Sequence, residues 1–201
     1  MMQFFRIGIF YVLLQNLTLC NADGAFLEKG EVLFHNASEN FLKNMKGLDS
    51  VLLFSSLFGR DEMLIQEALQ DAEESAKSCN LAKLNKSIFF IRKAFEQDAK
   101  KASEQLSLSL LTKGLILTYQ VKGRDISTLL ETSKLYREAF EFGNRDAKGH
   151  LLNSLKAISE LYGKNLEMYR LSFITTVEER IRLGDFVDIK TLEQLKEMRR
   201  L

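Results

Sequence analysis

Apolar residues recur at steps of three and four along most of this chain. Leu81, Leu84, Ile88, Ile91 and Phe95 form one stripe, which continues through Ala99, Ala102 and Leu106. Leu108, Leu111 and Leu115 form a second, and Leu129, Ser133, Tyr136 and Phe140 a third. Leu151, Leu155, Ile158 and Tyr162 follow, then Leu166, Tyr169, Phe173, Val177 and Ile181, then Leu192, Leu195 and Met198. This is the period of an amphipathic helix, whose apolar side has to be covered by another element. Strand cues are poor, since few runs alternate apolar with polar. The predicted fold class is all-α: stacked antiparallel helical hairpins, as a repeat-like right-handed solenoid or an irregular helical bundle.

With no proline in 201 residues, glycines and caps are the only punctuation. Residues 23–60 read as a less regular opening, in which Ser38 starts a short helix that Gly47 closes. Val51 to Phe58 is almost continuously apolar; periodicity allows helix or strand, and a buried helix suits the all-α context. Asp61 is placed to cap a helix running to about Lys77, with a turn at Ser78-Cys79-Asn80. Residues 80–121 make either one long helix or a hairpin broken near Gln97-Asp98. Thr128-Leu129-Leu130-Glu131 and Thr191-Leu192-Glu193-Gln194 have the spacing of capping boxes. Gly143 is suited to a left-handed C-terminal cap, Asp146 to the next N-cap, and Gly163 to a helix end. The chain divides into a leader at 1–22, an N-terminal helical segment at 23–60 and a helical-repeat domain at 61–201.

One phrase occurs almost twice. Ile91-Arg92-Lys93-Ala94-Phe95-Glu96-Gln97 is followed by Asp98-Ala99-Lys100; later Tyr136-Arg137-Glu138-Ala139-Phe140-Glu141-Phe142 precedes Gly143-Asn144-Arg145 and Asp146-Ala147-Lys148. Repetition of this kind marks stacked helical hairpins, which bind partners more often than they catalyse. Ala94, Phe95, Ala139, Phe140, Gly143, Ala147 and Leu151 are the expected packing positions of the repeat. The stretch from Leu135 to Ala147, with Leu151 four residues on, resembles the Sel1-like branch of the tetratricopeptide-type repeats over about one repeat. Phe140 stands where that family usually has alanine, and the earlier copy lacks the Gly-Asn turn. The resemblance implies a scaffold that binds a protein or peptide on its concave face. Tyr136 and Tyr169 are the candidate exposed anchors, because tyrosine joins a large apolar ring to a polar tip; each also lies on an apolar stripe, which argues for the core.

The N-terminus has the layout of a secretory signal peptide: Arg6, the apolar block Ile7 to Leu14, then Cys20-Asn21-Ala22 as a small-residue cleavage site. The expected mature chain is exported, periplasmic or secreted, and starts at about Asp23. The alternative is an uncleaved membrane anchor over residues 4–20. Cleavage leaves Cys79 as the one cysteine, which rules out an internal disulfide. Its place on a face with Ile65, Ala68, Ala72 and Ala76 favours burial over reactivity.

Charge is balanced at +1, which gives no electrostatic argument for nucleic acid or an acidic surface. His35 and His150 are too few for a histidine metal cluster; Asp146 and His150, four apart, make at most a weak pair. There is no Gly-rich phosphate loop, G-x-S-x-G, H-E-x-x-H or C-x-x-C. No metal, cofactor or catalytic residue is expected. The sequence reads as a non-catalytic protein that binds a protein or peptide partner, the alternative being a structural or self-associating helical bundle.

Overall fold

A computed structural model describes residues 24–58, 62–120 and 125–200. The expected leader lies outside these residues, as does the Asp61 cap. Eight helices make up the described chain, and no strand occurs among the described residues. They are α1 (Ala25–Phe58), α2 (Glu62–Ser78), α3 (Leu81–Gln97), α4 (Ala99–Gln120), α5 (Ile126–Glu141), α6 (Ala147–Gly163), α7 (Leu166–Arg182) and α8 (Ile189–Arg200).

The opening is more regular than its sequence suggests. α1 runs unbroken for 34 residues, through Ser38 and Gly47. Ser38 does not cap: it is buried, and its hydroxyl donates to Phe34 O at 2.8 Å within the same helix. That local bond satisfies a serine mid-helix without breaking it. Phe34, Phe41, Met45 and Leu48 line the buried side, while Leu52 and Leu53 near the end of α1 are exposed. The apolar block from Val51 is therefore helical but not fully buried.

Residues 80–121 form two helices. The chain leaves the helical region at Asp98 (φ −141°, ψ 90°), whose side chain accepts from the Lys101 amide at 3.2 Å. At the start of α5 the cap is Asp125, not Thr128: its carboxylate takes the Thr128 amide at 3.0 Å and the Thr128 hydroxyl at 3.1 Å. At the start of α8 the same is true of Asp188, which takes the Thr191 amide at 2.8 Å and hydroxyl at 3.0 Å. The threonines donate to caps that lie three residues upstream, and Glu131 instead faces Lys113 of α4 at 3.3 Å. At α6, Asn144 rather than Asp146 does the capping, with Oδ1 accepting from the Asp146 and Ala147 amides at 3.1 and 3.3 Å.

Consecutive helices from α3 onward pack on each other in series, α3 on α4, α4 on α5, α5 on α6, α6 on α7 and α7 on α8. α1 lies against α2 and α3, and α2 also reaches α4. No extensive packing returns α7 or α8 to α1–α3, so the series stays open. Short turns between helices make neighbours antiparallel, the arrangement of stacked hairpins. α4 is enclosed from several directions and buries Ser107, Ser109 and Thr112 beside its leucines. The two serine hydroxyls donate to Glu104 O and Gln105 O, which removes the cost of burying them.

Candidate partner-binding groove

The two copies of the repeated phrase do equivalent work. Arg92 on α3 reaches Glu138 on α5, and Arg137 on α5 reaches Glu179 on α7. The second pair is bidentate, with Nε and Nη2 of Arg137 each donating at 2.8 Å. These hydrogen bonds hold the guanidinium's pKa above its ordinary value, against the opposing effect of burial. Each arginine thus skips the intervening helix and ties alternate helices together. Phe95 adds to the first tie, its ring meeting Phe142 edge-on at 5.0 Å.

A further copy, not evident from the sequence words, appears in the turns. After α5, Gly143 has φ +96°; its amide donates to Phe140 O and that of Asn144 to Ala139 O. After α7, Gly184 has φ +81°; its amide donates to Ile181 O and that of Asp185 to Arg180 O. Both are Schellman caps, for which glycine is the natural residue because it enters the left-handed region without a Cβ penalty. Aligning the two glycines puts Arg180 where Ala139 stands and Asp185 where Asn144 stands. Ala139 is fully buried against the neighbouring helix, and Arg180 inherits that position: its side chain is 3% exposed. Its Nε donates to Asp185 at 2.7 Å and its Nη1 to Ser159 of α6 at 2.8 Å.

The other positions expected to pack divide by burial. Ala94, Ala147 and Leu151 are buried, Phe95 and Phe140 are half-buried against the core, and Gly143 is exposed at its turn. Tyr136 is not an exposed anchor. It is 2% exposed, its ring lies over Gly114 of α4 and packs on His150 of α6, and its hydroxyl lies 2.9 Å from Thr118 Oγ1. Burial pushes its phenol pKa far up. Tyr169 is 38% exposed, its ring 5.0 Å from that of Tyr162, and its backbone (φ −115°, ψ 22°) kinks α7. The structure does not bring the two tyrosines together on one surface.

What it does build is a groove of about 460 Å³ between α5 and α7, with α6 as floor. Leu130, Lys134 and Arg137 stand on the α5 wall, Thr175 and Glu179 on the α7 wall, and Tyr162 contributes to the floor. The Arg137–Glu179 bridge crosses it. Thr175 and Thr176 donate to carbonyls of their own helix, so they offer lone pairs rather than free donors. The result is an apolar floor with largely polar walls. The groove was not legible beforehand, because its walls lie some forty residues apart in the chain.

Neither histidine joins a metal site, and no group of three or more His, Cys, Asp or Glu that could hold a metal occurs among the described residues. His35 faces Glu39 at 3.3 Å on the surface of α1. His150 is largely enclosed, and burial holds its pKa below the ordinary 6.5. The sign follows: the unfolded chain takes up the proton first, so stability is full above about pH 6.5 and falls as pH drops through it. His150→Phe is expected to remove that part of the acid-side slope, measured as urea midpoints across the range. An unchanged slope would place the imidazole in solvent. Cys79 is half-buried, its sulfur 3.3 Å from Ser75 O, and burial pushes the thiol up to about 11. It is a poor nucleophile at neutral pH, as expected of a packed thiol.

Asn36-Ala37-Ser38 and Asn85-Lys86-Ser87 have the N-x-S spacing of glycan acceptors; the asparagines are exposed on α1 and α3, and the serines are engaged. Ser38 bonds within α1, and Ser87 donates to Gly30 O at 2.6 Å, joining α3 to α1. Among the described residues no helix is long and apolar enough to cross a membrane. Comparison with protein-family models, with curated proteins and with solved structures finds no match to this chain.

Proposed function

We propose that the chain is an exported, Sel1-like helical-repeat protein that binds a partner protein or peptide without catalysing a reaction. The observation that carries this reading is the groove between α5 and α7, built by alternate helices of an open series and floored by α6. Open stacks of hairpins present such extended surfaces because each unit contacts only its neighbours. The Arg137–Glu179 bridge supports it by fixing the spacing of the two walls. Leu130, exposed on the rim, is the apolar residue a bound peptide would cover. Export is supported by the layout of residues 1–22, and N-terminal sequencing of the protein from its native host tests it directly.

Binding is tested by selecting a displayed peptide library on the full chain and measuring the enriched peptides against Leu130→Asp. A loss of about tenfold or more with unchanged melting supports the groove. Failure to enrich any peptide, or equal binding to the variant, removes it.

A further inference from the structure

The charge of the whole chain is balanced, but it is not evenly spread. At the N-terminal end, Phe26 of α1 stacks on Phe90 of α3 with ring centroids 6.2 Å apart, and Phe89 meets Phe90 edge-on at 5.6 Å. Lys29 lies 4.5 Å over the Phe90 ring. Phe26 is 37% and Phe89 55% exposed, an unusual outlay of aromatic surface for two rings one turn from the core. Along α3, Lys83, Lys86, Phe90 and Lys93 follow at steps of three, four and three, so they share a side of the helix.

The counter-charges are accounted for. Arg92 is spent on Glu138, and Lys93 on Glu96 at 2.8 Å. Glu28 and Glu31 of α1 face each other, and burial first, then that mutual repulsion, raises the Glu31 pKa. By helical rotation they are turned away from Phe26. Lys29, Lys83 and Lys86 make no ion pair among the described residues. Three uncompensated lysines therefore surround three phenylalanines.

We propose that the face formed by Phe26, Lys29, Lys83, Lys86, Phe89 and Phe90 is a membrane-contact surface that rests on an anionic lipid bilayer. Aromatic rings settle at the boundary of headgroups and acyl chains, while lysine stems run along them and place the ammonium among the phosphates. Each lysine held near an anionic leaflet adds attraction that salt screens. A bilayer is the occupant favoured over an acidic polypeptide: carboxylates would pair with the lysines but leave the exposed rings of Phe26 and Phe89 uncovered, whereas a lipid surface offers phosphates and acyl chains together. In the sequence the apolar residues Leu17 and Leu19 end seven residues before Phe26, and the block Ile7–Leu14 ends twelve before it.

The chain has no tryptophan, so Phe89→Trp gives the full-length protein a single indole on the exposed part of the face, beside Phe90. Its emission is followed on phosphatidylcholine vesicles with and without phosphatidylglycerol, and with brominated lipids as quenchers. The expected result is a blue shift and quenching that require phosphatidylglycerol and are reversed by salt. Lys83→Glu with Lys86→Glu, in the same background, should weaken the effect by about tenfold or more. Lys190→Glu with Lys196→Glu, exposed on α8, is the charge-matched control and should change it little. Circular dichroism melts verify that each variant is folded. An indole that stays unshifted while the chain sediments with vesicles would overturn the proposal, since binding would then belong to another segment. Equal losses in the two lysine pairs would overturn it too. So would a shift produced by polyglutamate and not by vesicles, which would reassign the face to an acidic polypeptide.

Discussion

Tyr136→Ala is expected to lower stability by about 3–5 kcal/mol, the usual cost of removing a buried aromatic ring. The ring is the main filler between α4, α5 and α6, and its hydroxyl meets Thr118, which itself donates to Gly114 O at 2.9 Å. Gly114 makes the prediction sharper. A Cβ at that position would lie 2.5 Å from Cε1 of Tyr136. Alanine normally gains about 0.5–1 kcal/mol over glycine inside a helix. Here Gly114→Ala should instead cost about 1–3 kcal/mol, because the buried ring has nowhere to move. In the Tyr136→Ala background the added methyl enters the vacated space, so the substitution should become neutral or stabilising. Urea denaturation of the two single variants and the double variant measures the coupling. A stabilising Gly114→Ala in the otherwise unchanged chain would show that the ring does not press on α4.

Asp185→Ala is expected to cost about 3–5 kcal/mol, and to cost more than Arg180→Met. The asymmetry comes from burial: the Arg180 side chain is 3% exposed and that of Asp185 22%. Removing the carboxylate leaves an enclosed guanidinium whose remaining hydrogen bond among the described residues is to the Ser159 hydroxyl. Removing the guanidinium leaves an aspartate that can still reach water. Arg180 also helps, least among the causes and behind the hydrogen bonds from Thr191, to hold the exposed Asp188 carboxyl below its usual range, too weak an attraction to replace Asp185. Thermal unfolding should record the loss as roughly 2–4 °C for each kcal/mol in a chain of this size. Arg180→Met proving the more damaging of the two would mean that the charge is not enclosed.

The stripes were the legible part of this fold. Leu151, Leu155, Ile158 and Tyr162 are all buried as their spacing implies, since periodicity reports directly which side of a helix meets the core. Cap positions were misread for a shared reason. Asp125-Ile126-Ser127-Thr128-Leu129 and Asp188-Ile189-Lys190-Thr191-Leu192 are nearly one word. In both, a carboxylate accepts better than a hydroxyl, so the aspartate wins the cap and the threonine donates to it. That word was present in the sequence and could have identified both caps. The correspondence of Arg180 with Ala139 could not be read in this way. An alanine and an arginine share no chemistry, and only the positive-φ glycines bring them into register. Tyr136 lay on a stripe, and stripe position outweighed the usual taste of interfaces for tyrosine.

Helix α6 belongs to two cores at once. Leu151 and Leu155 complete the apolar cluster that begins at Phe34, whereas Ile158 and Tyr162 belong to a smaller cluster with Phe173, Val177, Val187, Leu195 and Met198. The two clusters are joined through this helix, through Ile126 and Leu129 of α5, which pack on the smaller one, and through the Arg137–Glu179 bridge, so cooperativity along the chain rests on a few contacts. The last hairpin is therefore expected to open as a separate foldon before the larger cluster does, as in linear arrays whose units are coupled chiefly to their neighbours. Because α7 supplies one wall of the groove, such an opening would dismantle the groove long before the protein as a whole unfolded.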